Sequence, residues 1–132
     1  MKITKMMKND EIYTIAENLL TVFPQEEEGK FPVKPLFLLR KNIKAFTDLA
    51  QEIEKTRMEI IQKYGKPSEE DANKYTFEGD NIEKVNNDLN DLISLEQEVS
   101  YYTIDLDSLG DVELTNNQMD ALINFIDYDE GE

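Results

Sequence analysis

Between Pro35 and Gly65 the chain carries Leu36, Leu39, Ile43, Phe46, Ala50, Ile53, Ile60 and Tyr64 at steps of three and four, interrupted only at Arg57. A period of 3.6 residues gathers these positions into one stripe, which predicts a single amphipathic helix over 35–64. Pro35 suits the first turn, where the helix needs no N–H, and Gly65 is the next stop signal. About 30 residues at 1.5 Å rise give a rod of roughly 45 Å. A rod of that length is long for a globule of 132 residues, so part of it must lie against another helix.

The partner is expected over 80–96. Asp80 with Glu83 three residues later reads as a capping box, and Ile82, Val85, Leu89 and Leu92 form a second stripe. The two segments read as an antiparallel helical hairpin. A shorter helix is expected over 10–23, capped by Asn9 and Asp10, lined by Ile12, Ile15, Ala16, Leu19, Leu20 and Phe23, and ended by Pro24. After the hairpin the period becomes two. Tyr102, Ile104 and Leu106 alternate in a β-branched, aromatic run that predicts a strand over 99–106, with β-prone Val112-Glu113-Leu114 nearby to pair with it. Thr115 and Gln118 make a further capping box for a helix over 116–126, and 127–132 is an acidic tail. The expected fold is one domain, 1–132, mainly α with a small β element (α+β). A long helical hairpin carries short N- and C-terminal helices.

Composition removes several chemistries. The chain has no His and no Cys, so imidazole catalysis, thiol nucleophiles, disulfides and Cys/His zinc sites are excluded. There is no glycine-rich phosphate loop, and Ser, Thr, Lys and Tyr have no patterned activating partner. A non-enzymatic protein without a cofactor is expected. No run of about 18 apolar residues predicts a transmembrane helix, and a cytoplasmic location is the expectation.

The net charge of −15 sits unevenly. Lys84 is the last cation, and 13 acids follow it with no base, whereas Lys30 to Lys66 carries nine bases against four acids. Nucleic acid is therefore a poor direct ligand. Lysines and arginines of the basic stretch (Arg40, Lys41, Lys44, Lys55, Arg57 and Lys63) read as the outer face of an amphipathic helix, some facing acids. A calcium loop starting at Asp105 fails on its ligands, because position five is Leu109 and position twelve is Asn116. Solvated carboxylates flanking a turn fit better. Thirteen carboxylates on a rigid body can instead imitate a phosphate backbone, which carries roughly one charge per 1.7 Å of duplex axis. The candidate partner-binding residues are Asp105, Asp107, Asp111, Glu113, Asp120, Asp127 and Asp129, and the expected partner is a protein with a basic surface.

The order of signals also resembles a known group. A short helix precedes Phe31-Pro32-Val33-Lys34, which leads into the long helix ending Met58-Glu59-Ile60-Ile61-Gln62-Lys63-Tyr64-Gly65. Asn81-Ile82-Glu83 opens the next helix to Leu92-Ile93, and a Val99-to-Leu106 strand and a helix at Leu114-Thr115 close the order. Over about residues 8–126 this is similar in layout to small uncharacterised proteins of tailed phages and prophages of Firmicutes and Bacteroidetes. The resemblance implies an infected bacterial cytosol as the setting and supplies no catalytic residues. Two roles follow as expectations: an inhibitor of a host nucleic-acid-binding defence protein, or an assembly-associated virion or tail subunit using the long helix as a seam.

Overall fold

A computed structural model of the chain describes residues 2–23, 31–71, 74–110 and 112–127. The element order is β1 (Lys2–Lys8), α1 (Asn9–Val22), α2 (Val33–Tyr64), β2 (Lys66–Pro67), β3 (Tyr75–Thr76), α3 (Asn81–Ser94) and β4 (Glu96–Tyr102). It continues through β5 (Ile104–Asp105), a 3₁₀ turn (Leu106–Leu109), α4 (Asn116–Leu122) and β6 (Ile126–Asp127). The class is α+β, as the periodicities imply. Among the described residues, no helix is long and apolar enough to cross a membrane.

The long helix forms where its stripe predicts. Leu39, Phe46 and Ile53 are buried at seven-residue steps, and Leu36, Ile43, Ala50 and Ile60 half-cover them. Its end at Gly65 is set by space rather than by backbone handedness. Gly65 has an extended φ of −109°, and a Cβ there would stand 2.7 Å from Phe77 Cε1 and 3.0 Å from the Ile61 carbonyl oxygen.

Both α1 and α3 lie against α2. Asn81 Nδ2 donates to the Tyr64 carbonyl (3.1 Å) and Tyr64 Oη donates to Asp88 Oδ2 (2.8 Å), which fixes the start of α3 beside the end of α2. Phe46, Tyr101 and Phe125 meet at the centre, with ring centroids 5.4–6.2 Å apart. Around them Ile12, Leu19, Leu39, Ile104 and Leu122 are fully buried.

Several expectations are corrected. The partner of the predicted strand is not Val112–Leu114 but the N-terminal strand β1, antiparallel in the register Lys2↔Tyr102 to Lys8↔Glu96. The strand itself runs Glu96–Tyr102, ahead of the expected 99–106, so the preceding helix stops at Ser94. The last helix stops at Leu122 rather than 126. The chain then turns so that the Phe125 carbonyl accepts from Ile104 N–H (2.6 Å) and β6 pairs parallel with β5. Asp127, placed in the tail by its composition, is in that strand; 128–132 lie outside the described residues.

Two of the three predicted caps are not made. Asp80 makes no side-chain bond to the α3 backbone and faces Lys84 at 3.8 Å. Asn9 sits inside α1, buried, with Nδ2 donating to the Leu92 carbonyl (2.9 Å) and Oδ1 accepting from Gln97 Nε2 (2.7 Å). Asp10 does no better: its Oδ1 accepts from the adjacent Glu11 N–H. The Thr115–Gln118 capping box forms in full, and Gln118 Nε2 also donates to the Val22 carbonyl (3.0 Å), tying α4 to α1.

Candidate functional site

The acidic segment hangs from two anchors. Ile104 precedes the 3₁₀ turn and Leu109 ends it, both buried, and the exposed Asp105 and Asp107 lie between them. Asp105 Oδ1 accepts from the Asp107 N–H (3.0 Å) and its carbonyl accepts from Ser108 Oγ (2.6 Å), so this carboxylate is held at a fixed height above the turn. The register Asp105↔Asp127 brings the main chain of Asp127 alongside. Glu113 follows in the segment leading to α4, and Asp120 is exposed on α4 opposite the buried Gln118, Ala121 and Leu122. Asp111 and Asp129 lie outside the described residues. The structure therefore brings together Asp105, Asp107 and the Asp127 backbone, whereas Glu113 and Asp120 lie before and on α4, which packs on α1. Among the described residues no three carboxylates converge as metal ligands.

Not every acid after Lys84 belongs to this surface. Asp88 is engaged by Tyr64. Glu96 and Glu98 lie on the outward face of β4, where Glu96 is the register partner of Lys8. Between described residues, no ion pair joins the basic stretch to a later acid. Among the described residues the ion pairs join neighbours on one helix: Lys44–Asp48 (2.8 Å), Arg57–Glu54 (2.8 Å) and Lys84–Asp80 (3.8 Å). Lys41 stands over Phe37 (4.9 Å) and Tyr102 (5.8 Å), and Lys63 over Tyr64 (5.0 Å).

Two features escaped the reading of the sequence. The first is a groove of about 420 Å³ between α1, α2 and α3, with Ile53 and Leu92 as floor and Tyr13, Leu89 and Ile93 as walls. At its rim Arg57 forks onto Glu54 with two bonds of 2.9 and 2.8 Å. The hydrogen bond from Arg57 holds the Glu54 carboxyl below its ordinary pKa, and Glu54 raises that of Arg57. The one visible signal was Arg57 itself, the break in the long stripe. The second is a set of lysines on β1: Lys2, Lys5 and Lys8, all exposed.

Comparison with protein-family models, with curated proteins and with solved structures finds no match to this chain.

Proposed function

We propose that the chain is a non-enzymatic binding protein whose carboxylates at Asp105, Asp107, Glu113, Asp120 and Asp127, with Asp111 and Asp129, dock on a cationic surface of a partner protein. The observation that carries this reading is the exposure of Asp105, Asp107, Glu113 and Asp120 between β5 and the end of α4, with no described cation within ion-pair distance. Fixed anions on a rigid turn need no reordering on contact, and they steer a basic partner through long-range attraction.

In its sharpest form the surface occupies the nucleic-acid channel of a host defence protein, and the resemblance to tailed-phage proteins supplies the infected-cell setting. The pairing of α2 with α3 as a helical hairpin belongs to the same reading, as the stiff body behind the acidic surface. An assembly role through the long helix is less favoured, because Leu39, Phe46 and Ile53 face the chain's own core.

The test is to capture partners at low salt and measure association with each from 50 to 500 mM NaCl. A rate falling by about tenfold or more, and falling again on Asp105→Asn/Asp107→Asn/Glu113→Gln, is expected for steered docking. The partner's own nucleic acid must compete. Salt-independent association, or an unchanged rate for the triple variant, refutes the reading.

A further inference from the structure

We propose that the outer edge of β1 takes an added strand, an extended acidic segment of a partner protein. The argument starts from hydrogen-bond parity. In an antiparallel ladder, residues alternate between pairs that exchange main-chain bonds and pairs whose N–H and C=O turn away from each other. Asn9 N–H donates to the Leu95 carbonyl (2.9 Å), one step beyond the pair Lys8↔Glu96. Odd-numbered residues of β1 therefore bond β4, and even-numbered ones face outward.

The other edge agrees. Tyr102, opposite Lys2, turns both main-chain groups away from β1, to Asn42 (2.8 and 2.7 Å). So α2 closes the edge of β4 through Asn42, while the N–H and C=O groups of Lys2, Thr4 and Met6 line an edge with no further strand among the described residues. Their side chains are exposed as well.

Charge selects the occupant. The strand Lys-Ile-Thr-Lys-Met-Met-Lys has three lysines and no acid. A second copy is disfavoured: full antiparallel overlap sets Lys2 against Lys8 and Lys5 against Lys5, and in-register parallel pairing also stacks Lys on Lys. Like charges directly opposite destabilise a ladder, and edge lysines are a common guard against self-pairing. A strand bearing Asp or Glu at every third position meets Lys2, Lys5 and Lys8 in turn and adds main-chain bonds at Thr4 and Met6. This surface is separate from the acidic one, so either proposal can fail alone.

The experiment titrates the full chain with acetyl-Thr-Glu-Val-Thr-Glu-Val-Thr-Glu-Thr-amide, and with the same peptide carrying Lys for Glu. The Glu peptide should bind about tenfold tighter, from three favourable cross-strand pairs. The Thr4 and Met6 amides should gain protection from hydrogen exchange. Met6→Pro removes an outward N–H without touching the β1–β4 ladder, and should abolish binding. Lys2→Glu/Lys5→Glu/Lys8→Glu should invert the preference toward the Lys peptide, which keeps the test decisive if the proline variant does not fold. Equal affinity for both peptides, no binding by either, protection outside β1, or a wild-type dimer closed through β1 overturns the proposal.

Discussion

Asn42 is a single side chain on which the join between the long helix and the sheet depends. It is fully buried, its Nδ2 donates to the Tyr102 carbonyl at 2.8 Å, and its Oδ1 accepts from the Tyr102 N–H at 2.7 Å. Asn42→Ala strands both main-chain groups where β1 does not reach them. An unpaired buried polar group costs about 1–3 kcal/mol, so two give about 3 kcal/mol even when entering water restores part of the loss. For a chain of 132 residues, an unfolding entropy of about 2.1 cal/mol/K per residue sums to roughly 0.28 kcal/mol/K, and the melting temperature should fall by about 10 °C. Asn42→Asp keeps the shape and sharpens the test. At neutral pH it sets a carboxylate against the Tyr102 carbonyl at a buried position, which raises the pKa of the new group in the folded state. A raised folded pKa makes the penalty greatest above that value and removes it below the unfolded value of about 3.9. The Asp variant should therefore recover toward wild type as pH falls toward 3, while the Ala variant does not. The assay is thermal and urea melting by circular dichroism, with exchange of the Tyr102 amide as the local readout. A loss under about 1 kcal/mol for Asn42→Ala, or parallel pH profiles for the two variants, refutes the reasoning.

Gly65→Ala should cost about 1–3 kcal/mol by overpacking against Phe77 and the Ile61 carbonyl; Phe77→Leu in the same chain should recover part of it, and urea midpoints with unchanged slope check both. Arg57→Gln should change stability by no more than about 1 kcal/mol at neutral pH, because the Glu54 pair is solvent-exposed. Its signature is in the titration: the Glu54 carboxyl should move back up to an ordinary value by NMR. Since the pair lowers the folded pKa, its contribution is present above the unfolded value and lost as pH falls through the folded one.

The parts of the fold legible in the sequence are those whose pattern is set by the chain's own core over short range. The stripe of α2 shows because Leu39, Phe46 and Ile53 all point into that core. β1 stays hidden because its two faces do not contrast: Ile3, Lys5 and Met7 face one way, and Lys2, Thr4, Met6 and Lys8 the other. Its strand identity comes from pairing with Glu96–Tyr102, far along the chain. Asn9 misled for a related reason. A short amide beside a helix start has the composition of a cap, but this one is buried and bonds Leu92 and Gln97. The α4 boundary was missed because Leu122, Ile123, Phe125 and Ile126 keep a helical rhythm. The structure breaks that rhythm where Phe125 packs on Phe46 and Tyr101.

Charge sorting in three dimensions differs from charge sorting along the sequence. The base-free run after Lys84 reads as one acidic body, yet its first strand runs beside β1, where Lys8 faces Glu96 and Lys2 stands 6.0 Å from the Tyr102 ring. Beyond that strand, the exposed carboxylates of Asp105 and Asp107 have no ion-pair partner among the described residues. Asp105 lies three steps along the chain from Tyr102, the register partner of Lys2, at most about 10 Å of extended chain. With the cross-strand step of about 5 Å added, the acidic turn begins no more than about 15 Å from the Lys2 end of the edge, within about two Debye lengths at physiological salt. At long range a partner feels the net −15; in contact it meets both signs. A uniformly basic partner should thus be steered by the acidic turn and then repelled along β1. A partner offering a basic groove flanked by an acidic extended segment matches both surfaces in a single encounter.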